Sequence, residues 1–279
     1  MADTGVVDAL LITVAPTGAE TAKAECPDLP TTLDELVATA KECEAAGAGL
    51  IHVHVRDADH RPTLDLGRLR DTVAALREST SLVVQLSTGG SVHDPLEDRL
   101  RVLDAEPDSC SLTLGTVNFG DDVFLNPWPF VRDLHRAARE RGIVPEFELF
   151  DLGHVAALRR LLDKDGLPAG GRVHCDLVMG VPGGMPGTTD ALVAAVAALP
   201  PEVTSWSATG VGRTSVAVAM AALSKGGHLR VGMEDTLTFA PGDPVGSNRR
   251  LVERAVALGG LAQRRPMSPR GVRGLLGLA

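Results

Sequence analysis

Residues 50–86 read LIHVHVRDADHRPTLDLGRLRDTVAALRESTSLVVQL, and they hold one complete strand–helix–strand unit. In Leu50–Asp57 the apolar Ile51, Val53 and Val55 alternate with His52 and His54, which is the period of a β-strand. Leu69, Val73 and Leu76 then recur at helical spacing through Leu66–Glu78, and Ser81–Leu86 is a second short run rich in β-branched and apolar residues. A strand, an amphipathic helix and another buried strand make a parallel crossover.

The same unit extends in both directions. Val6–Ala15 reads as a buried strand, and the loop Pro16–Pro30 after it carries Glu20. A helix starts at Thr32, whose hydroxyl can cap it while Glu35 completes a capping box, and Gly47 and Gly49 stop it. Past Leu86 come Ser87-Thr88-Gly89-Gly90, a helix over Pro95–Leu103, a strand over Ser109–Leu114 and a long polar loop, Thr116–Asp122. Pro127 and Pro129 open the next helix and Gly142 ends it. Ile143–Phe150, Arg172–Met179, Val203–Ala208 and His228–Met233 are the fifth to eighth strands. Helices over His154–Asp163, Thr189–Leu199, Thr214–Ser224 and Asn248–Leu258 follow them, and Pro269–Leu278 is a short extra C-terminal helix. Eight units of about 30 residues predict an α/β fold, a single (β/α)8 TIM barrel domain over residues 1–279. The competing doubly wound sheet calls for a G-x-G-x-x-G after its first strand, and the chain has none there.

Composition narrows the function. With 27 Lys and Arg against 36 Asp and Glu the net charge is −9, so no basic surplus exists to neutralise a nucleic-acid backbone. No apolar run reaches the roughly 20 residues of a membrane helix, and Met1–Gly5 lack the basic and apolar blocks of a signal peptide. Cys26, Cys43, Cys110 and Cys175 are scattered, as free thiols in a reducing compartment would be. A cytoplasmic protein acting on a small molecule is the expectation.

In a barrel the chemical groups collect at the carboxyl ends of the strands. Glu20 follows the first strand and His52 and His54 close the second. Ser87 ends the third, Ser111 and Thr113 lie late in the fourth, Glu148 late in the fifth, and Glu234 and Asp235 end the eighth. Two same-face histidines are also the pattern of hydrogen-bonded core residues. With one carboxylate they become a zinc ligand set that leaves a position open for substrate, and Glu234 is the carboxylate at hand. Strand alternation puts Arg230, Gly232 and Glu234 on one face and leaves Asp235 to the loop. An aspartate held by Arg230 is expected to stay ionised, its pKa lowered, and to serve as a base. Ser87-Thr88-Gly89-Gly90 offers a hydroxyl and backbone N–H groups to an anion, or is a plain tight turn. Gly180–Gly187 is a loop over the mouth, His174 a core residue, and His60, His93 and His135 are expected at the surface.

Several stretches together resemble one family. They are Ile12-Thr13 with Thr17–Glu20, His52–Arg56, Ser87–Gly90, Gly115–Asp122, Gly180–Met185 and Gly226–Asp235, and in this order they are similar to the β-keto acid cleavage enzymes, above all the branch acting on 3-keto-5-aminohexanoate. The resemblance implies a zinc-dependent barrel, typically a homo-oligomer, that condenses a β-keto acid with acetyl-CoA and yields acetoacetyl-CoA and a shorter acyl-CoA by a retro-Claisen step. It implies zinc on His52, His54 and Glu234, a base at Asp235 steadied by Arg230, and Glu148 facing the pocket. It also implies keto acid contacts from Glu20, Ser87, Gly90 and Ser111, with Glu20 selecting a cationic substituent. Ser111, Thr113, Asp151-Leu152, Arg213–Val216 and Thr236 depart from the family pattern around the mouth. Two rival readings are a metal-dependent, amidohydrolase-like hydrolase and a non-catalytic ligand-binding barrel. The hydrolase would carry its His-x-His on the first strand and histidines after the fifth and sixth.

Overall fold

A computed structural model describes residues 9–278. Positions 1–8, which include the start of the expected first strand, and Ala279 lie outside the described residues. Eight parallel strands close into a barrel. They are β1 (Ile12–Val14), β2 (Leu50–Val53), β3 (Val83–Leu86), β4 (Ser109–Thr113), β5 (Val144–Leu149), β6 (Val173–Met179), β7 (Val203–Gly210) and β8 (His228–Val231). Neighbours pair in chain order, and β8 returns to β1 with Arg230 beside Thr13. Closure removes the open doubly wound sheet from consideration.

Outside the strands lie α1 (Leu33–Ala46), α2 (Leu66–Ser79), α3 (Leu96–Arg101), α4 (Trp128–Arg141), α5 (Leu152–Asp165), α6 (Thr189–Ala198), α7 (Ser215–Ser224) and α8 (Asn248–Leu261). The start of α1 is fixed as the sequence predicts. Thr32 Oγ1 accepts from the Glu35 N–H at 3.3 Å, and Glu35 accepts in return from the Thr32 N–H at 3.0 Å. The last helix, α9 (Pro269–Leu276), packs on its own barrel, where Val272 and Leu276 meet Leu11, Leu50, Val83 and Val144 at the amino ends of the strands. Beside it Ala9–Leu10 pairs in parallel with Arg265–Pro266.

Three expectations change. Thr116–Asp122 is not an open polar loop, because Val117–Phe119 and Asp122–Phe124 pair as an antiparallel hairpin that lays Val117 and Phe124 on an apolar cluster. β8 stops at Val231, since the chain turns at Gly232, where a Cβ would overlap the Ala15 carbonyl, and the Asp235 N–H bonds back to Gly232 O at 3.0 Å. His135 is buried on the inner face of α4, its Nε2 3.1 Å from Gly166 O, and His60 is half-buried with Nδ1 2.8 Å from Thr31 Oγ1. His174 is a core residue as expected, with Nδ1 2.7 Å from Ser205 Oγ and Nε2 3.2 Å from Glu146.

The barrel interior is polar beneath its mouth. Asp176 on β6 accepts from Ser207 Oγ at 2.8 Å and Thr209 Oγ1 at 2.5 Å, and burial pushes its pKa up to about 7, with Glu146 adding to the rise. Its folded-state pKa therefore lies above the unfolded value. The stability tied to its proton is complete below pH ~4 and is lost as the pH rises toward ~7. Asp176→Asn should gain about 4 °C in melting temperature relative to the wild type between pH 5 and pH 8. A difference that stays constant across those pH values would contradict this.

Candidate active site

β2 brings His52 to the barrel mouth, and the chain leaves the strand at His54, so both imidazoles face the same cavity with centroids 5.3 Å apart. His52 is buried, and its Nδ1 lies 2.6 Å from Gln85 Oε1, the register partner on β3. Gln85 Nε2 donates to Ser109 Oγ at 3.1 Å, so its oxygen faces the ring, Nδ1 carries the proton and Nε2 presents its lone pair to the cavity. Burial, aided by the charge of Arg230, lowers the His52 pKa to about 4 and keeps the imidazole neutral. Glu234 Oε1 lies 3.8 Å from His52 Nε2 and 3.6 Å from His54 Nε2.

Arg230, rising from β8, sits at the centre of the acids. It donates to Glu148 Oε1 at 3.3 Å, to both Asp235 oxygens at 3.3 and 3.1 Å, and to Glu234 Oε1. The turn at Gly232 explains why Asp235 joins this group, where strand alternation alone would have left it in the loop. Burial by itself would raise Glu234, but Arg230 and the two histidines hold it well below the ordinary carboxylate range. Asp235 goes the other way. Burial pushes it up to about 6, with Glu234 and Glu148 adding to the rise and Arg230 only partly opposing it, so the expectation of a lowered pKa is reversed. Glu148 is also raised by burial, and its second oxygen accepts from Thr113 Oγ1 at 2.7 Å.

These side chains line a cavity of about 230 Å³ together with Glu20, Ser87, Gly89 and Gly90. Glu20 is exposed on the first loop. That loop is anchored by Arg56, which donates to Gly18 O at 2.6 and 3.1 Å and to Thr21 O at 3.0 Å. A Cβ at Gly18 would stand 2.7 Å from Glu234 Cγ, so the close approach of loop to carboxylate requires a glycine there. Ser87 Oγ accepts from the Gly89 N–H at 3.1 Å, which turns Gly89-Gly90 along the cavity wall. Ser111 stands behind that wall, its hydroxyl accepting from the Thr88 N–H at 3.2 Å. The structure thus gathers Glu20, His52, His54, Ser87, Gly90, Glu148, Arg230, Glu234 and Asp235 around one space and leaves Ser111 one layer out.

Ligand atoms of His52, His54 and Glu234 lie within 4.8 Å of one another. Among the described residues Glu234 Oε2 is buried with no hydrogen-bond partner. Two imidazoles, an ionised carboxylate and an orphaned carboxylate oxygen suit a divalent metal. Sequence reasoning missed Gln85 and the anchoring role of Arg56. Gln85 could have been found as a polar residue inside SLVVQL, two positions before Ser87 and therefore on the same face.

A family model described as beta-keto acid cleavage enzyme matches residues 9–278. The chain is 36% identical over 275 residues to a 3-keto-5-aminohexanoate cleavage enzyme of Acetoanaerobium sticklandii, covering 98% of this chain and 100% of that protein. It is 32% identical over 252 residues to a 3-oxoadipate:acetyl-CoA acetyltransferase of Cupriavidus necator, covering 89% and 87% of the two chains. A solved ternary complex of ObcA with C4-CoA adduct and oxalate is similar in fold, with a TM-score of 0.77 at 21% identity over 90% of this chain and 68% of that one.

Proposed function

The chain belongs to the beta-keto acid cleavage enzyme family, an acyltransferase family that breaks a carbon–carbon bond of a β-keto acid with acetyl-CoA, and on that premise we propose that His52, His54 and Glu234 hold a zinc ion beside an Arg230–Asp235 base. The observation that carries this reading is the donor set meeting the arginine-linked carboxylates in a single cavity. Zinc held by His52, His54 and Glu234 would supply a Lewis acid for the substrate ketone. Ser87, with the Gly89-Gly90 turn, holds the substrate carboxylate. Asp235, fixed by Arg230, takes a proton from the carbon between ketone and carboxylate. That carbon attacks the acetyl carbonyl of acetyl-CoA, and the carbon–sulfur bond breaks to release CoA thiolate. The thiolate then adds to the original ketone carbon, the bond between that carbon and its acidic neighbour breaks, and the electron pair left on the neighbour takes back the proton held by Asp235.

Thiol balance corrects the products expected from the sequence. One acetyl-CoA brings one CoA, so only the acyl fragment leaves as a thioester, and the acetylated fragment leaves as free acetoacetate. The hydrolase reading fails on geometry as well as on family. His174 is buried against Glu146 at the base of the barrel, and His154, after β5, takes the Phe150 N–H on Nδ1 at 3.2 Å. The test is to incubate the purified protein with β-keto acids and acetyl-CoA. Acetoacetate and a new acyl-CoA should appear together, and turnover without acetyl-CoA would reject the reading.

Glu20 selects the substituent in this reading, because an exposed carboxylate at the cavity edge favours a cation. Glu20→Gln should raise KM for a cationic keto acid about tenfold and leave that of a neutral one near its wild-type value. Equal losses for both would remove Glu20 from this role. Gln85 fixes the His52 tautomer, so Gln85→Leu should weaken zinc binding by about 10–100-fold in a chelator competition, with wild-type zinc affinity the contrary result. The reading also includes a cytoplasmic homo-oligomer built from one domain over residues 1–279. Leu261 on α8 is 84% exposed and Met220 on α7 57%, apolar positions that a subunit contact would cover, and light scattering tests it.

A further inference from the structure

The cavity has two unlike halves. Its polar side comes mainly from the ends of β1, β2, β3 and β8, which carry Glu20, His52, His54, Ser87, Glu234 and Asp235, with Glu148 at the end of β5 joined to it through Arg230. Across the barrel, the ends of β4 to β7 contribute Phe119, Phe124, Phe150, Val178, Val181 and Val211. The rings pack edge to face, Phe119 6.2 Å from Phe124 and 6.1 Å from Phe150. This wall is tied together by its backbone, with the Gly120 N–H donating to Pro182 O at 3.0 Å and the Met185 N–H to Phe150 O at 2.7 Å.

We infer that this apolar wall seats the acetyl-thioester end and pantetheine arm of acetyl-CoA. The inference rests on the two-substrate reading above. A β-keto acid has its ketone at the His52, His54 and Glu234 donors, its carboxylate at Ser87 and its substituent toward Glu20, so the polar half is filled. The electrophile must then reach the acidic carbon from the remaining side. A thioester and a pantetheine arm are uncharged and largely apolar, which matches side chains that offer neither charge nor hydrogen bond. The same surface keeps water from the thioester and from the carbanion while the thiolate leaves and returns.

Two half-buried wall residues make the test, Phe119→Ala and the isosteric Val211→Thr. Steady-state kinetics with acetyl-CoA and with acetyl-pantetheine should show KM for both thioesters rising about tenfold, while KM for the keto acid changes by less than about twofold. CoA titrated calorimetrically into each folded variant should bind correspondingly more weakly than to the wild type. A raised keto acid KM with thioester KM and CoA affinity unchanged would assign the wall to the keto acid and overturn the inference, leaving the reaction intact. Failure of the wild type to consume acetyl-CoA would instead overturn the reaction, and the inference with it. Should Phe119→Ala fail to fold, Val211→Thr, which preserves shape, decides alone.

Discussion

Arg230→Met is expected to cost about 3–5 kcal/mol of stability, because it leaves Glu148, Glu234 and Asp235 close together without the cation that links them. All three acids are held inside the barrel mouth, where water screens little of their repulsion. The variant should show a clearly lower urea midpoint, and whatever remains folded should turn over at least about 10³-fold more slowly. Arg230→Lys keeps a charge but loses the planar fork that reaches both Asp235 oxygens, so it should recover part of the stability and little of the rate. A wild-type denaturation curve for Arg230→Met would show that the acids do not depend on it.

The second large effect belongs to His54. It sits past the end of β2 at the cavity edge with its side chain 10% exposed, so His54→Ala should fold normally by circular dichroism. Removing one of the three proposed ligand groups should weaken metal binding by more than about 100-fold and lower turnover by at least the same factor. Metal analysis of the purified variant measures the first and an acetyl-CoA-dependent assay the second. Full metal content with near-wild-type turnover would separate the histidine from both roles.

Much of this is legible in the sequence, for physical reasons. Strand and helix periods are local, so LIHVHV, SLVVQL and the capping box at Thr32 could be read directly, and eight repeats left little choice but closure. Strand-end placement did the same for His52, Ser87, Glu148 and Glu234. The sign of the Asp235 shift was not legible, because burial and the neighbouring acids come from segments far apart in the chain. His135 was misread because its burial depends on which flank of α4 meets the barrel. The hairpin at Val117–Phe124 did carry a signal, Gly120-Asp121 between short alternating runs, but strands of three residues are too short to stand out from a loop.

The closing seam also bears on how the chain comes to fold. Ala9–Leu10 finds its partner only at Arg265–Pro266, and the plug over the strands' amino ends is completed by Val272 and Leu276. Ala9 meets Arg265 and Ile12 meets Leu229 across most of the described chain, so a chain emerging from the ribosome holds an unsealed sheet, with β1 waiting until β8 has been made. Such a topology lends itself to slow, late-committing assembly and to chaperone engagement of the exposed β1 edge.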